Sequence, residues 1–256
     1  MYLTGGIGPS AQNEGFTVPY DLPNDSAYAE TCAAIGMALW NQRMALLHAD
    51  AKYADIVERV LYNGALSGVS LDGEKFFYVN PLASRGKHHR QAWFGCACCP
   101  VNVVRFLPTI GGYAYAHDGR NIYVTQYVAG RTKIDLKGKT VTLTQQTRYP
   151  WDGAVKLTVE QAEGSDFVLY LRIPGWCEGP QSPDDLYQSI PSAQASTATI
   201  KVNGRVNPDF RPARTTRTNS TNPRGIPRNR RRPHASSDRS RPAPALRWST
   251  RQPRVK

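Results

Sequence analysis

Apolar residues recur at helical spacing up to about Gly111-Gly112 and at a spacing of two from Tyr113 onward, and this change of period most narrows the folds open to the chain. A helix brings every third or fourth residue to one face and a strand every second, so two differently built parts must follow one another. In the first part, Ile35, Leu39, Leu46 and Leu47 predict a helix from Ala33 to Leu47, with Asp25 or Ser26 as upstream caps. Ile56, Val57, Val60 and Leu61 predict a second helix over Tyr53 to Leu66, and Val101 to Ile110 a third, stopped by Gly111-Gly112. In the second part, β-branched and aromatic runs at Ile122–Val124, Lys133–Leu136, Val141–Leu143, Val155–Val159, Phe167–Leu171 and Thr199–Val202 alternate with Gly, Asp and Pro turns. The spacing predicts an antiparallel β-sandwich beside the helices, an α+β multidomain architecture.

Beyond Asn207 neither period survives. Residues 205–256 carry 15 Lys and Arg against 2 Asp and Glu, leaving 17 against 18 upstream, so the formal charge of +12 belongs to the tail. A segment so rich in Arg, Pro, Ser and Thr cannot offset its ordering entropy and is expected to be disordered from 207 to 256. The abrupt switch after Val202-Asn203-Gly204 reads as out-of-frame translation of a longer domain, with a nucleic-acid or anionic-surface tail as the competing reading. The near-neutral remainder argues for no specific nucleic-acid partner, and the absence of a long apolar run argues for no membrane span. The first residues lack the basic and apolar parts of a signal peptide, so compartment and oligomeric state are not readable.

Four of the five cysteines lie in two short segments, Glu30-Thr31-Cys32 and Gly95-Cys96-Ala97-Cys98-Cys99-Pro100. Clustered thiols beside a carboxylate form a soft-metal site, with Zn2+ the first candidate. Pro100 is expected to push Cys99 out of the α region and to put both vicinal thiols at the N-terminus of the third helix. Residues i and i+2 of a regular helix point about 200° apart, so Glu30 and Cys32 can share an ion only if the backbone around them is irregular. Buried, reduced core cysteines remain a competing reading, a Cys98–Cys99 disulfide a third, and a non-catalytic zinc-stabilised module a further function. Cys96 reads as a spare core thiol and Cys177 as a buried apolar residue.

The ordered set Thr4-Gly5-Gly6-Ile7-Gly8, Glu14-Gly15-Phe16, Tyr20-Asp21-Leu22-Pro23-Asn24, Tyr28-Ala29-Glu30-Thr31-Cys32-Ala33, Leu61-Tyr62-Asn63-Gly64 and Cys96-Ala97-Cys98-Cys99-Pro100 resembles the β-L-arabinofuranosidases of glycoside hydrolase family 127. Leu171-Arg172-Ile173-Pro174-Gly175-Trp176-Cys177 is similar to their β-sandwich region. The resemblance covers about residues 1–204. It implies that residues 1–112 are the C-terminal part of an (α/α)6 barrel, here a helical fragment, and that 113–206 are an incomplete β-sandwich. It further implies a retaining glycosidase acting on an L-arabinofuranoside-containing oligosaccharide or glycoconjugate. Carried over by position, Glu30, Cys32, Cys98 and Cys99 match zinc ligands, Cys98 the nucleophile and Glu14 the general acid/base. Glu58 and Tyr78 match positions lining the sugar pocket, against plain readings of an exposed helix charge and a packing ring. Glu14 must be protonated when the bond breaks, which calls for apolar surroundings to which Phe16 contributes.

Overall fold

The computed structural model describes residues 1–162, 167–178, 198–206 and the backbone of 245–248. The chain opens with an irregular segment that leads into three helices: α1 (Thr31–His48), α2 (Ala51–Val60) and α3 (Cys98–Phe106). α2 continues through a π-helical turn, Leu61–Ala65, into a 3₁₀ turn, Leu66–Gly68, and α3 continues as a 3₁₀ segment, Leu107–Tyr113. Ala34, Ile35 and Ala38 of α1 meet Val60, Leu61, Val103 and Phe106 in one buried cluster, the helical spacing made physical.

Two start signals read from sequence are corrected. Asp25 and Ser26 do not cap α1; the N-cap is Glu30, with extended backbone (φ −57°, ψ 138°), and the helix starts two residues before the expected Ala33. Cys99 is not displaced from the helix by Pro100, because both lie in the first turn of α3. In a first turn the missing proline N–H forfeits no intrahelical bond, so the proline is accommodated there.

The N-terminal glycines have a packing explanation. Tyr2 is fully buried against Ala27 and Ala29, and Gly5 holds φ +88° where an added Cβ would sit 2.8 Å from Val60 Cγ2. Gly5→Ala combines a left-handed backbone with a clash against α2, and a loss of about 1–3 kcal/mol is expected in chemical denaturation. The contrasting control is Gly36→Ala, whose Cβ meets nothing within 4 Å.

From Tyr115 the chain builds sheets. β1 (Tyr115–His117), β2 (Asn121–Val124), β6 (Phe167–Leu171) and β9 (Ala245–Trp248) form one sheet in the order β1-β2-β6-β9. β3 (Gly130–Asp135), β4 (Thr140–Thr147) and β5 (Val155–Ala162) form a second, an antiparallel meander. β7 (Lys201–Val202) and β8 (Arg205–Val206) make a small hairpin. Ile122, Val124, Ile134, Val141, Leu143, Phe167 and Leu169 form one buried cluster drawn from both larger sheets.

Two further expectations change. β2 and β6 pair in parallel, so the strands are not wholly antiparallel. The three strands of the meander lie between them in sequence, and the chain re-enters the first sheet running as it left. The expected tail lies outside the described residues except at β9, where Ala245–Trp248 pairs antiparallel with β6 instead of being structureless. The edge of β6 offers unpaired backbone groups, and Ala-Leu-Arg-Trp is the short stretch that takes them. Among the described residues no helix is long and apolar enough to cross a membrane.

An ionic clasp joins the helical and strand parts. Arg172, just after β6, has a side chain only 2% exposed and binds Asp55 of α2 at 2.6 Å, Glu58 of α2, and the Thr125 carbonyl. Gln126 Nε2 adds a bond to the Ala54 carbonyl at 2.8 Å.

Candidate active site

The site is assembled by two extended segments that run against each other. Thr31 N–H donates to the Tyr78 carbonyl (3.0 Å), Asn80 N–H to the Tyr28 carbonyl (3.1 Å), and Asn80 Nδ2 to the Ala29 carbonyl (2.9 Å). Thr31, fully buried, donates its hydroxyl to the Phe77 carbonyl at 2.9 Å. These bonds hold Glu30 just outside α1 and Cys32 just inside it, the break in regularity that lets both face one point. Cys98 and Cys99 arrive from the first turn of α3, which packs on α1.

The four donor atoms of Glu30, Cys32, Cys98 and Cys99 lie within 4.8 Å of one another. Tetrahedral zinc with sulfur at about 2.3 Å and oxygen at about 2.0 Å requires S···S edges of about 3.8 Å and S···O edges of about 3.5 Å. Cys98 Sγ and Cys99 Sγ are 3.8 Å apart, and Glu30 Oε1 is 3.5 Å and 3.4 Å from them. The donor set fits the ion in chemistry, three of its atoms stand at the required spacing, and the fourth, Cys32 Sγ, lies within 4.8 Å of them. Burial pushes the Cys32 thiol up to about 11, and burial pushes the Cys99 thiol higher still. The bare cluster thus keeps these protons at neutral pH, and a bound dication reverses the balance because the thiolate is the ligand form.

Tyr78 lies beside this cluster, its hydroxyl 3.1 Å from Cys98 Sγ. The hydrogen bond to Cys98, followed by burial, raises its phenol well above the ordinary range. It is more than a packing ring. Tyr28 lies 6.2 Å from Tyr78, ring centre to ring centre, and donates its hydroxyl to Glu14 Oε1 at 2.7 Å. Glu14 is thereby connected to the thiol cluster through two phenols.

The remaining site residues fall elsewhere. Glu14 is exposed and Phe16 is 71% exposed, so the apolar surroundings expected for the acid are not built by Phe16. Glu58 is buried, which corrects its reading as an exposed helix charge. Its carboxylate is bound by Arg172 and by Trp176 Nε1 (3.1 Å), and it lines a cavity of about 340 Å³ with Thr4, Tyr62 and Trp176. Cys96 is exposed rather than a core thiol, and Cys177 is half-buried. Cys98 and Cys99 are unbridged, their sulfurs 3.8 Å apart, so the vicinal disulfide is not formed. Sequence reasoning missed Tyr28 as a contact of Glu14 and missed Arg172. The signal for Arg172 was a lone charge closing an apolar strand, with two carboxylates three residues apart on α2 able to meet it.

Residues 1–112 match the catalytic domain, and residues 121–218 the middle domain, of the family described as β-L-arabinofuranosidase, GH127. The chain belongs to glycoside hydrolase family 127. It is 39% identical over 195 residues to the non-reducing end β-L-arabinofuranosidase of Bifidobacterium longum subsp. longum, covering 70% of this chain and 29% of that protein. It superimposes on a solved GH127 β-arabinofuranosidase with a TM-score of 0.77 at 49% identity, covering 81% of this chain and 32% of the other. A GH127 β-L-arabinofuranosidase from Geobacillus stearothermophilus T6 gives a TM-score of 0.66 at 50% identity, over 70% and 30%. The chain thus spans about a third of the length of these relatives. The second match runs to residue 218, so the first residues beyond Asn207 still fall inside the family pattern.

Proposed function

We propose that this chain carries the catalytic centre of a retaining glycosidase that releases β-L-arabinofuranose from an oligosaccharide or glycoconjugate, with Cys98 as nucleophile and Glu14 as general acid/base. The observation that carries the reading is the convergence of the donor atoms of Glu30, Cys32, Cys98 and Cys99 to within 4.8 Å of one another. These four side chains would hold the ion, which supplies a positive charge that keeps the sulfur ionised and draws charge from it. The Cys98 thiolate attacks the anomeric carbon while Glu14 gives its proton to the departing oxygen, so the carbon–oxygen bond breaks as the carbon–sulfur bond forms. Glu14 then takes a proton from water, whose oxygen attacks the same carbon and expels the thiolate. Two displacements restore the original configuration. We assign Tyr78, beside Cys98, to the sugar pocket, while Glu58, assigned there by its match to the family, lines a cavity that shares no residue with the thiol cluster.

The helical part is read as the C-terminal portion of an (α/α)6 barrel and the strands as its β-sandwich neighbour. Trp40 of α1 (61% exposed) and Val101 and Val104 of α3 (58% and 64%) support this, since such faces ordinarily pack on further helices.

The test uses this chain exchanged for the matching stretch of the full-length Bifidobacterium relative. Hydrolysis of 4-nitrophenyl β-L-arabinofuranoside is expected, with the β-anomer as first product by proton NMR. Chelation should abolish turnover and one equivalent of zinc restore it. Inversion of configuration, or turnover untouched by complete metal removal, would overturn the proposal.

A further inference from the structure

We infer that Tyr28 is a positioning residue that fixes the direction of the Glu14 carboxylate and ties it, through Tyr78, to Cys98. The inference rests on the reading of Glu14 as acid/base given above. Glu14 by itself is poorly suited to a directional task. It is exposed on the N-terminal loop, and its backbone lies at φ +50°, a region that non-glycine residues enter at a cost. Local contacts restrain only the backbone: Ser10 bridges Gly15, and Gly15 N–H donates to Asn13 Oδ1 at 3.2 Å. An exposed glutamate side chain otherwise keeps its rotamer freedom.

Tyr28 supplies the missing restraint. It is 8% exposed, its carbonyl accepts from Asn80 N–H, and the next residue donates its N–H to the Gly8 carbonyl at 2.8 Å. Its hydroxyl reaches Glu14 Oε1 at 2.7 Å, while its ring leans on Tyr78, whose hydroxyl is 3.1 Å from Cys98 Sγ. The two reacting groups therefore hang on one pair of stiff rings.

The contact also separates the two oxygens of Glu14. Oε1 accepts from Tyr28 whether the carboxyl is protonated or not, which leaves Oε2 to carry the proton. Oε2 gives it to the departing oxygen in the first displacement and takes one from water in the second. Tyr28 itself neither gains nor loses a proton.

Two measurements test this. Thermal midpoints of the full chain, of Tyr28→Phe, of Glu14→Ala and of the double variant should show a coupling of about 2 °C. Tyr28→Phe keeps the ring and removes only the donor. Additive midpoints would overturn the inference whatever the activity. In the exchanged enzyme, Tyr28→Phe should lower kcat/KM about tenfold or more for a methyl glycoside, whose leaving group needs the acid. For a 2,4-dinitrophenyl glycoside, which leaves without help, the loss should stay within about twofold. Equal losses on both substrates would reduce Tyr28 to a packing residue and overturn the proposal. Failure of the unsubstituted enzyme to cleave either glycoside defeats the glycosidase reading instead, and the thermal coupling still decides whether Tyr28 holds Glu14.

Discussion

Cys98→Ser is expected to lower turnover in the exchanged enzyme by at least about 10³-fold, and added zinc is expected not to restore it. Serine keeps an oxygen that can still face a metal ion, but at neutral pH it remains a neutral alcohol and a poor nucleophile. Cys32→Ser provides the contrast. Cys32 is a donor to the same cluster, yet it lacks the contact that Cys98 makes with Tyr78. Its loss should weaken metal binding by more than the roughly 10- to 100-fold typical of a residue that only supports a ligand, and saturating zinc should recover part of the turnover. Zinc content by mass spectrometry, read beside activity, separates the two effects. If saturating zinc revived Cys98→Ser as well, both cysteines would be ligands only and the nucleophile would have to be sought elsewhere.

The cluster of cysteines with a carboxylate was partly legible in the sequence. Four of five cysteines fall in two short segments, and placing a carboxylate among them narrows the chemistry to a few ions. The helices were legible because Ile35, Val57 and Val60 mark one face repeatedly, and repeated signals survive errors at the ends. The ends themselves were not. The rule that proline displaces the preceding residue from helical backbone misplaced Cys99, since it says nothing about a first turn where the proline nitrogen has no partner to lose. Tyr28 was invisible for a different reason. Its neighbourhood is created by pairing of residues 28–31 with 77–80, and local composition carries no trace of a contact made so far along the chain. The direction of β6 was hidden likewise, because strand periodicity gives a face but no partner.

Arg172 makes the same point energetically. Its partners Asp55 and Glu58 lie 117 and 114 positions away, and nothing near Arg172 in sequence announces them. With side chains 2%, 16% and 9% exposed, the three charges have little water to fall back on. Burial raises the Asp55 carboxyl above its ordinary range even though Arg172 pulls it down, so the pair is held at some desolvation cost. Arg172→Met should therefore destabilise the chain by about 3–5 kcal/mol in chemical denaturation, because two carboxylates are left buried without a counter-charge. Arg172→Met combined with Asp55→Asn and Glu58→Gln should recover a large part of that loss, since neutral amides can pair with Thr125, Trp176 and water. Recovery in the triple variant distinguishes stranded charge from lost packing. A single variant as stable as the parent would mean that the arginine does not bind both carboxylates in solution, and the seam between helices and strands would then have to rest on Gln126 and apolar contact.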